Sequence, residues 1–562
     1  MSRVSVFLTS AKFWTFLAFF LGVMPIWLTS TEMWDGIIGI YALESNNWIV
    51  IKNWLLDSNW YISYLIFYMA DSIHRLIEVP HWILFKSWIT LLILGIGYEV
   101  YRLARGVFCI DLKVARWLPA LIFSFPVWYV YFSFAAMVGH LTCVWLALIG
   151  YRFLYSEKRA VCLVGTVAVV LSFQLASNCA FLIALEFSNW LMNRKKHVWD
   201  LRKSLLIVGL AVLVFYLTRI VWPPLGTYAG YNKLLNPFEF GSWLIYLQRT
   251  CYWITWLILL LPLTLILFRF NQRKQFGYTT VSSKPSQGIN MGLCFVSLIG
   301  AATAPYIAVG LASPFFVVNL PSAGSVSAVL AGNSTMISIW YGGWGARHAM
   351  LLMIVFALFV GWAIQNTKSD ITLEKRSFIL TNTSVLAVII AFNLVFLLPG
   401  HFAKLRRIAQ ERTIVELLKR TPQIPNGQVD FILDAKNDYL ISSYEANYLL
   451  YKAYKATNWL AFMLPDQPVV KTWVETSRES IFKHASSFPA VTAGQHVMTN
   501  YDWQNRCKTV VHLVLPVLDF MDVLWRAEYA PLELPAAFLQ PISSSCTGAS
   551  AFWTAGSNLQ TP

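Results

Sequence analysis

The stretch TSTEMWDGIIGIY, residues 29–41, stands at the end of an apolar run that begins at residue 11. A run of about 20 apolar residues is long enough to cross the hydrocarbon core of a bilayer. Two carboxylates, Glu32 and Asp35, therefore stand where the chain is expected to leave a membrane. Acidic side chains at such a point need an explanation, because most of the neighbouring sequence is apolar.

The spacing of these two acids has both an ordinary and a functional explanation. If the stretch is helical, a three-residue spacing places Glu32 and Asp35 on one face, and Thr29, Ser30 or Thr31 caps the helix. Acids at a helix start also suit the positive end of its dipole. A helix start decorated with acids is therefore the alternative to a functional pair.

The composition of the whole chain indicates a membrane protein. Hydrophobic residues make up 57% of the 562 residues and charged residues only 13%, whereas soluble domains carry about 25% charged residues. The net charge of +15 fits cytoplasmic loops rich in Lys and Arg, and no motif for nucleic acid is present. We predict an α-helical polytopic membrane protein.

Apolar runs predict about eleven transmembrane helices. They are placed at residues 11–29, 82–101, 117–135, 140–155, 160–177, 180–193, 204–221, 247–268, 291–312, 349–365 and 378–398. With the amino terminus in the cytoplasm, most Lys and Arg fall in the cytoplasmic loops, as the positive-inside rule requires. The odd number of spans then places the carboxyl terminus outside.

Two domains follow from this division. Residues 1–398 form the membrane module, whose first outside loop, residues 30–81, is aromatic and amphipathic and predicts helices that lie in the membrane interface. Residues 399–562 form an extracytoplasmic domain that is α+β or mostly helical.

Within this second domain the sequence predicts two helices and two strands. The helices are at 403–420 and 446–462, and VDFIL and TVVHLVLP are the strands. Cys507 and Cys546 lie on the oxidising side of the membrane, where a disulfide between them is allowed.

The motif TEMWDGIIGIYAL, residues 31–43, followed by WLLDSNWYISYLIFY, residues 54–68, resembles the GT-C superfamily of glycosyltransferases. It looks most like the bacterial O-antigen glucosyltransferases that use polyprenyl-phosphate-glucose. Many GT-C enzymes carry adjacent or once-spaced acids, whereas two residues separate the acids here. The resemblance implies a bacterial inner-membrane enzyme with its site on the periplasmic side.

The resemblance also implies the chemistry. A sugar, glucose in the first instance, passes from a polyprenyl-phosphate donor to a glycan acceptor such as O-antigen of lipopolysaccharide. Asp35 is expected to act as the base for the acceptor hydroxyl, with inversion at the sugar, and Glu32 to orient the acceptor or share that role. We predict no cofactor or metal, although Glu32 and Asp35 together could bind one divalent ion.

Cations near the outside ends of spans are candidates for binding the donor phosphate. These residues are Arg347, His348, Lys233 and Arg219. Arg347 has an ordinary alternative role, which is to anchor lipid headgroups. Candidates for contact with the sugar or the acceptor are Trp34, Trp60, Tyr64 and Asp57.

Three other functions remain open. An O-antigen ligase or polymerase would rely on outside Arg and His residues such as Arg347 and His348. A protein glycosyltransferase of the pilin type is a further alternative. A flippase or transporter of a lipid-linked sugar would use charges inside the membrane, of which Glu186 is one.

Overall fold

The computed structural model describes most of the first 420 residues and short segments beyond them. The described residues are 10–33, 36–193, 201–221, 223–225, 235–265, 285–309, 344–366, 382–420, 429–435, 448–449, 451–453, 460–464, 507–513, 540–542 and 552–554.

Helices dominate the described part of the membrane module. In chain order they are α1 Ala11–Gly22, α2 Gly36–Glu44, α3 Trp48–Asp57, α4 Tyr61–Ile77, α5 His81–Gly106, α6 Leu112–Ala115, α7 Leu118–Ser124, α8 Phe134–Leu154, α9 Arg159–Ser172, α10 Ser177–Asn193, α11 Leu201–Tyr216, α12 Phe240–Ile254, α13 Pro285–Ala308, α14 Met350–Asn366 and α15 Asn382–Arg420. Single 3-10 turns occupy Met24–Leu28, Trp128–Phe132, Thr255–Leu260 and Trp344–Ala349, and a π turn occupies Leu217–Val221.

Seven helical segments among the described residues are long and apolar enough to cross a membrane. They are Ala11–Leu28, His81–Gly106, Phe134–Leu154, Phe240–Leu265, Ile289–Ala308, Arg347–Asn366 and Thr383–Ala409. Together with the apolar composition they make this chain a helical membrane protein. Three further predicted spans, at 160–177, 180–193 and 204–221, correspond to α9, α10 and α11, which have 14, 17 and 16 residues.

The predicted continuous span at 117–135 is wrong. Helix α7 ends at Ser124, and Phe125 adopts an extended conformation with ψ of 132°. Pro126 explains the break, because proline lacks the amide hydrogen of a helix and disfavours helical geometry in the residue before it. A 3-10 turn and the start of α8 follow, so this part of the chain is a broken segment.

The core of the bundle contains a close helix crossing between α8 and α9. A Cβ atom on Gly150 would lie 2.9 Å from the backbone nitrogen of Val169, and one on Gly165 would lie 2.8 Å from that of Leu154. Small residues allow such backbone contact, which is typical of helix packing in membranes. Helix α8 is thereby fixed at its carboxyl-terminal half, while its amino terminus meets the first loop.

The carboxyl-terminal half of α8 carries a buried polar cluster. Glu186 of α10 accepts hydrogen bonds from the hydroxyl groups of Tyr151 at 2.9 Å and Tyr155 at 2.5 Å, and from Ser204. Arg152 binds the Glu99 carboxylate of α5 with two nitrogens, each at 2.8 Å. We call this the Glu186 end of the bundle.

The first loop is helical, as predicted for most of its length. Helices α2, α3 and α4 follow one another, and the buried residues Ile62, Ile66 and Phe67 face the bundle. The opposite face of α4 is also apolar and is exposed, with Leu65 at 56% and Leu76 at 82%. An exposed apolar face on a surface helix is typical of contact with lipid.

Helix α15 continues through residue 399, so the boundary proposed at 398/399 lies inside one helix that contains Pro399. The predicted helix at 403–420 is confirmed as the second half of α15. The predicted helix at 446–462 is wrong at its end. Residues 448–449 and 451–453 are helical, but Leu460–Leu464 is a strand, because apolar residues there pair with a neighbouring strand.

Five strands are found among the residues described beyond α15. They are β1 Val429–Ala435, β2 Leu460–Leu464, β3 Cys507–Leu513, β4 Gln540–Ile542 and β5 Phe552–Thr554. Their order in the sheet is β2-β1-β3-β5-β4, with parallel pairs except for β4 and β5. The two predicted strands are confirmed as β1 and β3. The position of this sheet outside the membrane stays a prediction.

Candidate functional site

The first span ends in a 3-10 turn whose carbonyl groups are bound by a buried lysine. Lys86 of α5 has no exposed surface, and its ammonium group donates to the carbonyl oxygen of Ile26 at 2.6 Å and to that of Thr29. It also lies 4.8 Å from the ring centre of Phe134. The cation therefore fixes the point where the chain leaves the first span.

Glu32 binds the amino terminus of a helix far away in the sequence. One carboxyl oxygen accepts the Ala135 amide at 2.8 Å, and the other accepts the Met33 amide at 2.9 Å. Ala135 lies in the first turn of α8, where amide groups have no partner within the helix. The side chain is fully buried, so it links the motif to the bundle.

Burial controls the protonation of this group. It raises the pKa of Glu32 to about 8, against the opposing effects of the two amides, the nearby Lys86 ammonium and the Ser133 hydroxyl. Desolvation disfavours the charged carboxylate more than these partners favour it. Glu32 is therefore a carboxyl group whose charge changes near neutral pH.

The predicted arrangement of the two acids on one helix is wrong. Helix α2 begins at Gly36, and Glu32 precedes it in residues that form neither helix nor strand. Thr29 does not cap a helix, because its hydroxyl accepts the amide of Thr31 at 3.1 Å in a local turn. A Cβ atom on Gly36 would lie 2.4 Å from the Glu32 carboxyl, so a larger residue there would displace this carboxyl from its present contacts.

A second cluster lies a little further along α8. The ring of His140 is 4.2 Å from that of Trp60 in the first loop, and the charge of Arg347 acts on both His140 and His348. The His348 ring lies 4.7 Å from Tyr306. Nitrogen Nδ1 of each of these two histidines is buried without a hydrogen-bond partner among the described residues.

Helix geometry gives the separation of the two clusters. Ala135 and His140 are five residues apart on α8, which corresponds to about 7.5 Å along the helix axis. The buried carboxyl of Glu32 and the cluster of Arg347, His348 and His140 thus lie within two turns at the amino terminus of α8. We call this region the Glu32 end of the bundle.

The segment after α15 also reaches the first loop. Lys452 donates to the Glu44 carboxylate at 2.8 Å, and the Tyr451 hydroxyl donates to the carbonyl oxygen of Glu44 at 3.2 Å. Burial raises the pKa of Tyr448, and the negative charges of Glu44 and Glu32 act in the same direction. The tail therefore packs beside the motif rather than away from it.

The structure places the predicted site residues unevenly. Glu32 binds the first turn of α8 through Ala135. Trp60 packs on His140 of the same helix, and the charge of Arg347 acts on His140 and on His348. Tyr64 is half-buried with its ring 6.1 Å from Trp48, and the carbonyl oxygen of Asp57 accepts the amide of Leu225 at 2.7 Å. Trp34, Asp35 and Lys233 lie outside the described residues, and for Arg219 only the backbone, in the π turn, is described.

Two residues at this end were missed from the sequence. Lys86 is a single cation within the apolar run HWILFKSWITLLILGIG, and a lone charge inside a predicted span is itself a signal of function or of a buried partner. Ser133 directly precedes α8 and binds the motif. No pattern marks this serine, because its partners are a hundred residues away.

The search for a metal site concerns only the described residues. The described part of the chain holds no group of three or more His, Cys, Asp or Glu side chains placed to bind a metal ion. Cys546 lies outside the described residues, so the disulfide with Cys507 stays a prediction.

The fold and the apolar segments define the class as a helical integral membrane protein. Comparison with known proteins adds no family to this class. No protein-family model, no curated protein and no solved structure matches the chain.

Proposed function

We propose that this protein is a membrane glycosyltransferase of the GT-C type. It transfers a sugar, glucose in the first instance, from a polyprenyl-phosphate donor to a glycan acceptor outside the cytoplasm, such as O-antigen. The observation that carries the proposal is that two groups share the first two turns of α8: Glu32 of the acidic motif binds Ala135, and Arg347 acts on His140.

The location of these groups suits a lipid-linked donor. A polyprenyl tail has to remain in the bilayer, while the acceptor glycan is in water, so the reaction takes place at the membrane surface. The motif follows the end of the segment Ala11–Leu28, and Arg347 begins the segment Arg347–Asn366. Both therefore lie at ends of membrane-spanning helices.

Asp35 acts as the base in this proposal. It is joined directly to Gly36, and both flanks of the segment 34–35 are bound to the bundle. The Asp35 carboxylate takes the proton of the acceptor hydroxyl as the oxygen attacks the anomeric carbon, and the bond from that carbon to the lipid phosphate breaks. Glu32 is fully buried, so it positions the motif and does not touch the acceptor.

Arg347 and His348 receive the leaving phosphate. A guanidinium group binds phosphate oxygens with two parallel hydrogen bonds, and the unpartnered nitrogen of His348 offers a further polar group. Charge that develops on the leaving group is stabilised most strongly by fixed donors in a water-poor site. A monophosphate leaving group needs less charge compensation than a pyrophosphate, so the proposal includes no metal.

Eleven membrane passes are part of the same proposal. The seven long helices, the broken segment at 118–132 and the shorter helices α9, α10 and α11 together make that number. The amino terminus is then cytoplasmic, and the Glu32 end and the sheet domain are periplasmic in a bacterial inner membrane. A reporter fused after α15 should be active only outside the cytoplasm, and a cytoplasmic signal would exclude this arrangement.

A ligase or polymerase that uses a lipid-pyrophosphate donor is the second candidate. It is favoured by the pairing of Arg347 with two histidines, because such enzymes rely on outside arginines and histidines. The experiment that separates the two supplies purified protein with a glycan acceptor and either a polyprenyl-monophosphate sugar or a lipid-pyrophosphate glycan. Transfer from the monophosphate alone supports the glucosyltransferase, and transfer from the pyrophosphate alone overturns it.

A further inference from the structure

The turn that joins α9 to α10 is fixed to α8, the helix that carries His140. The turn comprises residues 173–176, and α10 begins directly after it at Ser177. Asn178, which has no exposed surface, donates to the carbonyl oxygen of Cys143 at 3.1 Å. Cys143 lies on α8 three residues after His140, so the turn and this histidine share one support.

Gln174 in this turn holds the first loop on both sides of Trp60. Its side-chain nitrogen donates to the carbonyl oxygen of Asn59 at 2.6 Å, and its side-chain oxygen accepts the backbone amide of Ile62 at 2.7 Å. The ring of Trp60 lies against that of His140, with the ring centres 4.2 Å apart. Gln174 therefore fixes the aromatic ring that packs on His140.

Ser177, three residues later in the chain, is connected to the other histidine in the same indirect way. The hydroxyl groups of Ser177 and Tyr306 share a hydrogen bond of 2.9 Å, and both residues are buried. The ring of Tyr306 packs on that of His348, with the ring centres 4.7 Å apart. Each histidine thus contacts an aromatic ring that is held by a polar side chain at this turn.

The two histidines have hydrogen-bonding capacity that the described residues do not use. Nitrogen Nδ1 of His140 and of His348 is buried without a partner among them, whereas buried polar atoms in proteins are nearly always paired. The charge of Arg347 acts on both rings. A phosphate group beside Arg347 offers several acceptor oxygens, which suit imidazole N–H donors, and such donors act most strongly when they are fixed in advance.

We propose that the turn between α9 and α10 is a positioning element for the phosphate group of the lipid-linked donor. Gln174 fixes His140 through the aromatic ring between them, and Ser177 fixes His348 in the same way. Both histidines then donate to the phosphate that Arg347 binds, so His140 is a further phosphate-binding residue. This inference rests on the proposed function for the identity of the ligand.

The experiment measures the binding of polyprenyl monophosphate, the leaving group itself, to the whole chain in phosphatidylcholine nanodiscs. His140→Ala and His348→Ala are each expected to raise the Kd roughly 10- to 150-fold, because each removes a hydrogen bond to a charged group. Gln174→Ala and Ser177→Ala are each expected to raise the Kd roughly 3- to 10-fold, since the imidazole is kept but is placed less accurately.

Combined variants separate positioning from a general loss of structure. In the His140→Ala background, Gln174→Ala is expected to cause no further loss of binding, whereas Ser177→Ala keeps its full effect. In the His348→Ala background this pattern is reversed. The reason is that substitutions acting through one group are not additive, while substitutions acting through separate groups are.

Gln365→Ala is the matched control. Gln365 makes the same pair of backbone contacts away from the Glu32 end, since its side-chain oxygen accepts the amide of Asp111 at 2.6 Å and its nitrogen donates to the carbonyl oxygen of Cys109 at 3.3 Å. Its substitution should leave the Kd within about twofold. Should Gln174→Ala not fold, Gln174→Met, which keeps the length of the side chain without its hydrogen bonds, takes its place with the same expectation.

The outcomes are distinct. Unchanged binding in Gln174→Ala and Ser177→Ala, equal losses in both histidine backgrounds, or a matching loss in Gln365→Ala would overturn the role of the turn, while sugar transfer by the wild type would still support the enzyme. Equal competition by phosphatidylglycerol would show that the cluster binds phospholipid headgroups and would also overturn it.

Transfer by the wild type tests the proposed function separately. Binding of polyprenyl monophosphate with the crossed pattern, but without sugar transfer from any polyprenyl-monophosphate donor, would overturn the glycosyltransferase and leave the phosphate site. A wild-type protein that neither binds this lipid nor transfers sugar from it overturns the proposed function, and the role of the turn with it.

Discussion

Two buried carboxyl groups, Glu32 and Glu186, stand at opposite ends of α8 and are held in different ways. Glu186 accepts hydrogen bonds from side-chain hydroxyl groups on α8 and α11. Glu32 accepts backbone amides, one of them a hundred residues away. Hydroxyl groups can rotate to suit a partner, whereas backbone amides are fixed in direction.

This difference indicates what each carboxyl does. The Glu186 cluster joins three helices through side chains that can adjust, which serves packing. The Glu32 contacts fix the backbone of a short motif against a helix start, which determines position. A site that needs accurate geometry is expected where backbone groups are fixed, which agrees with the proposal that the chemistry takes place at the Glu32 end.

The largest expected effect is that of Asp35→Asn. Asparagine keeps the size of the side chain but cannot take a proton at neutral pH, and loss of a general base typically lowers the rate by about 100- to 10,000-fold. Transfer should therefore nearly vanish while donor binding and the melting temperature stay as in wild type. The measurement is a transfer assay with purified donor, together with thermal unfolding.

Asp111→Asn is the matched control for that variant. Asp111 is exposed and precedes α6, beside Gln365, away from the Glu32 end. Its substitution should leave transfer unchanged. If Asp35→Asn keeps normal transfer, the acids at the exit of the first span have no catalytic role, and the glycosyltransferase proposal loses its main support.

Arg347 should give the next largest effect. Hydrogen bonds to charged groups contribute about 1.5–3 kcal/mol, so Arg347→Ala is expected to lower kcat/KM for the donor by roughly 10- to 150-fold. Arg347→Lys should recover only part, because an ammonium group lacks the planar pair of donors. Equal and full activity of both variants would show that Arg347 is a headgroup anchor. Arg105→Ala serves as the control, because Arg105 lies in the last turn of α5, away from the Glu32 end.

The two carboxyl groups can also be compared directly by substitution. In Glu32→Gln one of the two backbone amides faces an NH₂ group, so the motif should shift and transfer fall by about 10-fold, less than in Asp35→Asn. Glu186→Gln should lower stability by about 1–2 kcal/mol and leave transfer within about twofold. Transfer assays and thermal unfolding of both variants test this expectation. A loss of transfer in Glu186→Gln but not in Glu32→Gln would contradict it.

The sequence predicted elements better than it predicted the site. Apolar runs located the long helices, because the length of an apolar run can be read from the local sequence. The segment VDFIL located β1, because its composition is also a local property. The continuous span predicted at 117–135 was wrong, because an apolar run gives no information on how Pro126 affects the backbone of Phe125. The spacing of the acids would place them on one face only if the segment were helical, whereas Glu32 precedes α2 and binds Ala135. No local pattern encodes a contact across a hundred residues.

The smallest expected effect concerns pH and tests whether Glu32 is as buried as its contacts indicate. The pKa of Glu32 is about 8 in the folded protein, compared with 4.5 for the unperturbed group. Between these two values the folded protein keeps a proton that the unfolded chain has lost, so the contribution to stability is full below the lower value. This contribution to stability decreases as the pH rises towards the pKa of the folded protein. Above that pKa the buried carboxyl is charged.

The melting temperature of the wild type should therefore fall more steeply between about pH 5 and about pH 9 than that of Glu32→Gln, which has no group to titrate there. Other titrating groups act in both proteins and cancel in the difference. Equal slopes in wild type and Glu32→Gln would mean that water reaches the Glu32 carboxyl. The motif would then not be rigidly attached to α8, and the contrast with Glu186 would fail.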